Sequence, residues 1–389
     1  MAKFPANNIM SLVAASPRYD LAESVGPDLH LGDLFDADAL QDLSQIALGY
    51  GTAEGDQQLR QVIAEGHAVD ADDVVVTVGG MHALFLTAFI LCEHGDKVVT
   101  TAPLFPLACN ALEAVGADVH TARLSFDRGY RLNLSDMIQA LSAQTKLVSL
   151  ASPQNPSGVA IPLQTLRELL ALMADRCPAA YLLVDETFRE AAYGTDPIAA
   201  SAVGLSSKVI SIASLSKCHG APGLRLGWAI TRDRDLRAQL VLSKFNTVIS
   251  CSALDEALAL RVLQQRDRII DDRRVHLAAG LAKTASWVQH NATFVEWIRP
   301  DAGALCCIRL RPSVFDAAAV TRFQTALTEA RVRLADGTWF GDETHVFRLG
   351  FGLLTMPDLE RALNGVSAAL RRSVCGTTAE PRGRIVSAA

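Results

Sequence analysis

From about residue 70 onward the chain alternates short apolar runs with stretches of helical spacing. Residues 74–78, 97–101, 146–150, 181–184, 209–213 and 226–230 are apolar runs, three of them rich in β-branched side chains. Runs of that length predict strands buried on both faces. A helix is predicted from Met81 and another near residues 106–115. The alternation predicts an α/β fold whose mostly parallel, doubly wound sheet is covered by helices on both sides. In such sheets ligands bind beyond the carboxyl ends of the strands.

After about residue 250 the pattern changes. Residues 252–284 predict one long helix, with the charged segment 266–274 as its solvated face. Strands near 304–310 and 346–350 and a closing helix over 356–372 predict a second, smaller α/β domain. The expected division is an N-terminal arm over 1–45 that joins the small domain, a large domain over 46–265, the small domain over 266–375, and a flexible tail over 376–389.

Composition narrows the function classes. Half of the 389 residues are hydrophobic and 20% are charged, which is ordinary for a globular protein. Thirty-six basic against forty-two acidic side chains leave a net charge of −6, so no general attraction to nucleic acid or anionic membranes is expected. No apolar run approaches the roughly 18 residues that a membrane span requires. Eight cysteines show no metal-type spacing, and scattered thiols of this kind point to a reducing cytoplasm and to no metal site.

The richest segment is Ser-Leu-Ser-Lys-Cys-His-Gly-Ala-Pro-Gly-Leu-Arg-Leu-Gly-Trp, residues 214–228. Lys217 follows a buried strand, where desolvation disfavours its charged form and frees a nucleophilic amine able to form a Schiff base with an aldehyde. Ser214 and Arg225 are residues that a phosphate requires. Gly79-Gly80-Met81 open a helix directly after a strand, and backbone N–H groups at such a terminus form an anion site. Asp185 closes the strand 181–184; it either caps the next helix or holds a proton on a pyridine nitrogen. Asn155 lies in Ser-Pro-Gln-Asn-Pro-Ser-Gly, which reads as a tight surface loop or a hydrogen-bonding one. Phe105 and Tyr50, taken alone, read as aromatics of the core. Arg348, inside an apolar strand, needs a carboxylate partner, either structural or a ligand's.

Taken together these segments resemble the class I and II, fold-type I aminotransferases, over about residues 50–348. Ser214 three residues before Lys217 and Arg225 eight after it match that family's spacing. The resemblance implies pyridoxal 5′-phosphate as cofactor, joined to Lys217 as an imine. It implies a phosphate cup of Gly79, Gly80, Met81, Ser214 and Arg225, with Asp185 on the pyridine nitrogen. Asn155 would lie on the phenolic oxygen and Phe105 on the ring face. Tyr50 would reach the phosphate of a neighbouring subunit in a homodimer, and Arg348 would grip the substrate's α-carboxylate. The implied reaction moves an amino group from an L-amino acid to a 2-keto acid, with Lys217 and Asp185 as catalytic residues.

The chain departs from the family pattern in places. Phe188, three residues after Asp185, stands where many relatives carry a tyrosine. The segment 185–189 also faintly resembles enzymes of the same fold that oxidise or cyclise arginine, so a β-lyase, oxidase or cyclase is the alternative. Residues 21–27 match the family's N-terminal substrate loop only loosely. There Glu23 or Ser24 could meet a polar or cationic substrate group, or the segment is an ordinary surface arm.

Overall fold

The structure, a computed structural model, describes residues 4–5, 7–13, 17–36, 41 and 43–375; the expected tail over 376–389 lies outside the described residues. Among the described residues thirteen strands run in chain order as β1 (Tyr19–Asp20), β2 (Val74–Thr77), β3 (Lys97–Ala102), β4 (Asp118–Arg123), β5 (Thr145–Ala151), β6 (Tyr181–Asp185), β7 (Val209–Ser214), β8 (Gly227–Thr231), β9 (Val295–Ile298), β10 (Leu305–Leu310), β11 (Val332–Arg333), β12 (Ala335–Asp336) and β13 (Val346–Gly350). Seven of them form one sheet in the order β2-β8-β7-β6-β5-β3-β4. All its neighbours pair in parallel except those of β8, which runs antiparallel to both β2 and β7.

The period of two along each strand explains how the sheet is covered. Leu183, Ile210 and Ile212 point to one face, where they meet Leu84 and Leu86 of the helix Gly79–Leu91 and Leu240 of the helix Arg234–Val248. Leu182, Val184 and Val209 point to the other face, against Leu166, Leu169 and Met173 of the helix Leu163–Arg176. A strand that must fill two cores reads as an unbroken apolar run, which is why these strands are visible in the sequence. The edge strand β4, Asp-Val-His-Thr-Ala-Arg, is largely open to solvent and carries no such run. It escapes prediction, as does the short half-buried β9.

Four antiparallel strands, in the order β12-β13-β10-β9, make a second sheet. Its core holds Phe315, Phe323, Phe347, Leu349 and Phe351 together with residues of the last helix, Met356–Cys375. The N-terminal segment joins this half. β1 pairs in parallel with β11, and the Gly350 N–H donates to Leu21 O at 2.7 Å.

The long helix expected over 252–284 is two helices, Ala253–Gln264 and Arg266–His290, with Gln265 between them at φ −101° and ψ 16°. The segment 266–274 is not simply a solvated face. Arg266 pairs with buried Glu190 at 3.0 Å, and Arg273 and Arg274 donate to the carbonyls of Pro27 and Asp196. A run of charges has no intrinsic side, and only the partners on neighbouring elements decide which of them turn inward.

The reversed strand β8 starts at the carboxyl edge of its parallel neighbours. A Cβ on Gly227 would lie 2.6 Å from Gly79 C and Gly80 N, and 2.7 Å from Ala213 O. Backbone atoms cannot swing aside as a side-chain tip can. Gly227→Ala is therefore expected to cost about 1–3 kcal/mol of stability, read as a lower midpoint in denaturant unfolding; an unchanged midpoint would mean the two loops do not meet there.

Candidate active site

The carboxyl edge of the large sheet brings three segments together. In register, Ala151 of β5 stands beside Asp185 of β6, and Asp185 stands beside Ile212 of β7. The loops leaving these strands carry Asn155, Thr187 and Lys217.

Residues 152–158 are a buried loop. The Gly158 N–H donates to Gln154 O at 2.7 Å, and the Gln154 N–H donates to Val159 O at 2.9 Å. Gln154 Nε2 also donates to Pro103 O at 2.8 Å. Gly158 sits at φ +72°, and a Cβ there would lie 2.6 Å from Pro300 Cβ and 2.8 Å from Ala302 O. Its own carbonyl accepts from the N–H groups of Asp301 and Ala302. Glycine thus satisfies two demands at once, a left-handed turn and close approach of a second chain segment. The loop holds Asn155 rigidly as a result.

Asn155 and Arg348, far apart in sequence, meet directly. Arg348 Nη1 donates to Asn155 Oδ1 at 2.8 Å. With its oxygen so engaged, the Asn155 amide keeps its Nδ2 hydrogens for another acceptor. Arg348 is 2% exposed, lies 4.7 Å from the Phe340 ring centroid, and donates through Nη2 to Ala22 O. Its Nε is buried and makes no hydrogen bond. Burial pulls its pKa down to about 10, with the Glu23 charge opposing that shift. Arg348 therefore sits behind Asn155 rather than on the wall of the main cavity.

That cavity, of about 310 Å³, gathers Gly80, Met81, Phe105, Asn155, Asp185, Ser214, Lys217 and Arg225 at its lining. Gly79 lies just outside, at φ +74°; a Cβ there would stand 2.8 Å from Arg225 Nη2. Arg225 donates through Nη1 to Pro222 O at 3.0 Å, and among the described residues no carboxylate pairs with it. Asp185 does not cap a helix. Its Oδ1 accepts the Thr187 N–H at 2.9 Å, and burial raises its pKa. The Lys217 amine is pushed down to about 8, mainly by burial; Glu23 opposes the shift, and the charges of Arg348 and Arg225 add to it. The pocket thus offers an unpaired guanidinium beside glycine N–H groups, a buried carboxylate and an amine partly neutral near physiological pH. These are the contacts that a phosphorylated pyridine aldehyde requires.

Tyr50 is elsewhere. It is 86% exposed and lines an open groove with Leu48, Val248 and Leu254, away from the cavity. Segment 21–24 is no surface arm: Leu21, Ala22 and Ser24 are buried along β13. Behind Lys217 lies a charged cluster that no motif announced. Glu190 contacts Arg189 at 3.1 Å, Arg266 at 3.0 Å and His219 at 3.2 Å, all in a buried setting. His219 and Arg189 flank motif residues, yet their partner Glu190 carries no recognisable signal of its own.

Residues 24–366 match the model of the family described as aminotransferase class I and II. The chain is 31% identical over 356 residues to capreomycidine synthase from Streptomyces vinaceus, covering 88% of this chain and 85% of that one. It is 28% identical over 291 residues to an arginine–pyruvate transaminase from Pseudomonas aeruginosa, covering 69% and 70%. The crystal structure of a PLP-dependent cyclase, OrfR, superposes with a TM-score of 0.81 at 27% identity, over 91% of this chain and 93% of that one. The architecture is thus that of fold-type I PLP-dependent enzymes.

The lowered pKa of Lys217 has a direct readout in the cofactor-free protein. Only the neutral amine attacks an aldehyde, so reductive methylation at Lys217, followed by mass spectrometry, is expected to reach half its limiting rate near pH 8 rather than near 10.5. Glu23→Gln is expected to move that midpoint lower, since the Glu23 charge raises it. A wild-type midpoint near 10.5 would show that the amine is not desolvated.

Proposed function

Because the chain belongs to the class I and II aminotransferases, which work with pyridoxal 5′-phosphate, we propose that it moves an amino group from an L-amino acid to a 2-keto acid, with Lys217 as cofactor anchor and proton carrier. The observation that carries this reading is the single cavity shared by a desolvated Lys217, buried Asp185 and unpaired Arg225. Bound pyridoxal 5′-phosphate supplies an aldehyde that takes up amines and a ring that withdraws electrons from the substrate's α-carbon.

In this reading Arg225, the Ser214 hydroxyl and the N–H groups of Gly79, Gly80 and Met81 bind the phosphate. Asp185 keeps a proton on the ring nitrogen, as a buried carboxylate beside a pyridinium does. Asn155 donates its Nδ2 hydrogen to the phenolic oxygen, in the orientation that Arg348 dictates. Phe105 covers one face of the ring and helps exclude water. Arg348, which stands behind Asn155, would take the substrate's α-carboxylate only by reaching past that side chain with the Nη hydrogens that Asn155 and Ala22 leave unused. Lys217 Nζ would take up the proton from the substrate's Cα and hold it for return, acting first as base and then as acid.

We also assign Tyr50 to the phosphate of a second copy of the chain. Its exposure beside Leu48, Val248 and Leu254 supports a homodimer whose sites are completed across that apolar face. No helix among the described residues is long and apolar enough to cross a membrane. The seven cysteines whose side chains are described are free thiols, which supports a cytoplasmic setting.

A second reading is favoured by Phe188. It offers no hydroxyl where many relatives place a tyrosine, and it lines the cavity beside Lys217. Together with the likeness to capreomycidine synthase and to a PLP-dependent cyclase, this supports a reaction on the amino acid that ends in cyclisation, elimination or oxidation.

Titration of the holoenzyme with single L-amino acids under anaerobic conditions separates the two. Under the first reading, pyridoxamine 5′-phosphate accumulates and added keto acid reverses it. Product or ammonia release with no pyridoxamine 5′-phosphate would overturn transamination and leave the second reading. Under either reading Lys217→Ala is expected to lose at least about 10³-fold in turnover while remaining folded by circular dichroism. Arg348→Ala is expected to weaken amino-acid binding by about 100-fold and, by releasing Asn155, cofactor binding by a smaller factor; retained turnover without Lys217 would contradict the whole scheme.

A further inference from the structure

Glu190 and Lys217 line one small cavity, together with Cys218, Arg273 and Leu277. The carboxylate of Glu190 is engaged on every side. Its Oε1 accepts from Arg189 Nη2 at 3.1 Å and from Arg266 Nη2 at 3.0 Å, and its Oε2 accepts from Arg266 Nε at 3.1 Å. Arg266 thus grips it with both arms of its planar fork. His219 Nε2 stands 3.2 Å from the same Oε2. Burial works against the charge of Glu190, but His219, Arg266 and Arg189 outweigh it and hold the carboxyl well below the usual carboxylate range.

These partners come from three places in the chain. Glu190 follows β6, His219 lies two residues beyond Lys217, and Arg266 opens the helix Arg266–His290. The lysine loop leans on the Glu190 segment a second time through Cys218, whose Sγ donates to Thr187 O at 3.1 Å. Beyond His219, the Gly220 carbonyl accepts the Leu29 N–H at 2.8 Å. The support behind Glu190 is itself fixed. Arg189 donates to Ala199 O at 3.0 Å and to Gly66 O at 2.9 Å, and Glu186 accepts from the Ser201 hydroxyl at 2.7 Å and the Ala202 N–H at 2.6 Å. Stability alone is a poor reason to bury so many charges, since apolar side chains of equal volume often stabilise as much. What a fully paired network adds is one arrangement of its segments in place of several.

We propose that Glu190 is a positioning residue for Lys217, acting through His219 and fastened in place by Arg266. Among the described residues neither ring nitrogen of His219 makes an aligned hydrogen bond, so the carboxylate of Glu190 is what holds the ring. His219 and Cys218 are buried, and the backbone between them and Lys217 has only two soft dihedrals per residue. A displacement of the ring therefore reaches the lysine. Proton transfer is sensitive to such displacements, because a misplacement of about 1 Å can cost about 100-fold in rate. The effect on turnover rests on the reading of Lys217 as proton carrier; the effect on the lysine itself does not.

The test compares Glu190→Gln, His219→Leu and His219→Gln with wild type, each as the full chain. Two quantities are read: the pH midpoint of reductive methylation at Lys217 in the cofactor-free protein, and the rate of amino-acid conversion by the holoenzyme. Burial is the main cause that lowers the Lys217 midpoint, so a loop freed to admit water raises it. His219→Leu and Glu190→Gln are expected to raise the midpoint by about one pH unit. They are also expected to slow conversion at saturating amino acid about 10- to 100-fold, with the apparent amino-acid affinity unchanged. His219→Gln, whose amide still donates toward Glu190, is expected to match wild type in both. A lower melting temperature in His219→Leu with the midpoint unmoved would overturn the proposal, since lost packing alone gives that result. So would a lower midpoint in Glu190→Gln, which the loss of a negative charge gives through its field alone. If Glu190→Gln does not fold, His219→Leu decides. A raised midpoint with conversion undiminished would uphold the positioning of Lys217 and instead sink its reading as proton carrier.

Discussion

A buried guanidinium ties this molecule together. Arg348 leaves β13 in the second sheet and reaches Asn155 in a loop of the first, while its other terminal nitrogen holds the carbonyl of Ala22. An arginine taken out of water is unstable unless hydrogen bonds and a counter-charge offset the desolvation. The aromatic face of Phe340 and the nearby carboxylate of Glu23 contribute to that offset. Three chain segments, from the beginning, middle and end of the sequence, must therefore keep their places for the charge to be tolerated. The same group fixes the orientation of Asn155 and so decides which of its atoms faces the cavity. Architecture and site chemistry meet in this side chain.

The electrostatics of the cavity follow from its position at the edge of a parallel sheet. Strand ends and helix starts present unpaired N–H groups there, and the loops can carry charged residues that the strands themselves cannot. Lys217 sits in this boundary layer, desolvated enough to be partly neutral near physiological pH yet half-open to the pocket. Asp185 is shifted in the opposite sense by the same burial. Desolvation disfavours charge of either sign, which brings an amine and a carboxylic acid toward the pH range where both can exchange protons. The reversed strand β8 adds a steric constraint: Gly227 lets the turn at Gly79 and Gly80 approach the end of the lysine loop. Without that contact the cationic and glycine-lined parts of the pocket would not share one wall.

Much of the fold is legible because the central strands pack on both faces. Residues such as Leu182, Leu183 and Val184 must all be apolar when one side of the sheet takes the odd positions and the other takes the even ones. The strands that escape, β4 and β9, have a face in solvent and so mix polar with apolar residues. The break at Gln265 escapes for a related reason. Two helices in tandem carry nearly the same periodicity as one, and no proline or glycine marks the change of direction. The run 266–274 shows the limit of reading charge from composition, since its inward members are decided by Glu190, Pro27 and Asp196 on other elements.

Local sequence is enough to specify the class of the sheet, the succession of strands and helices, and a set of residues with the chemistry of a phosphate, an amine and a carboxylate. These features rest on short spacings: three residues from Ser214 to Lys217, eight from Lys217 to Arg225, and a glycine pair after a strand. It took the folded molecule to line one cavity with these residues and to join Asn155 to Arg348 by a hydrogen bond. Folding also set Tyr50 outside on an apolar face and buried Arg348 against Ala22 and Phe340. The difference is one of range. Backbone conformation and burial period are written by near neighbours, whereas desolvation and charge pairing depend on groups hundreds of residues apart that only the completed fold brings within reach.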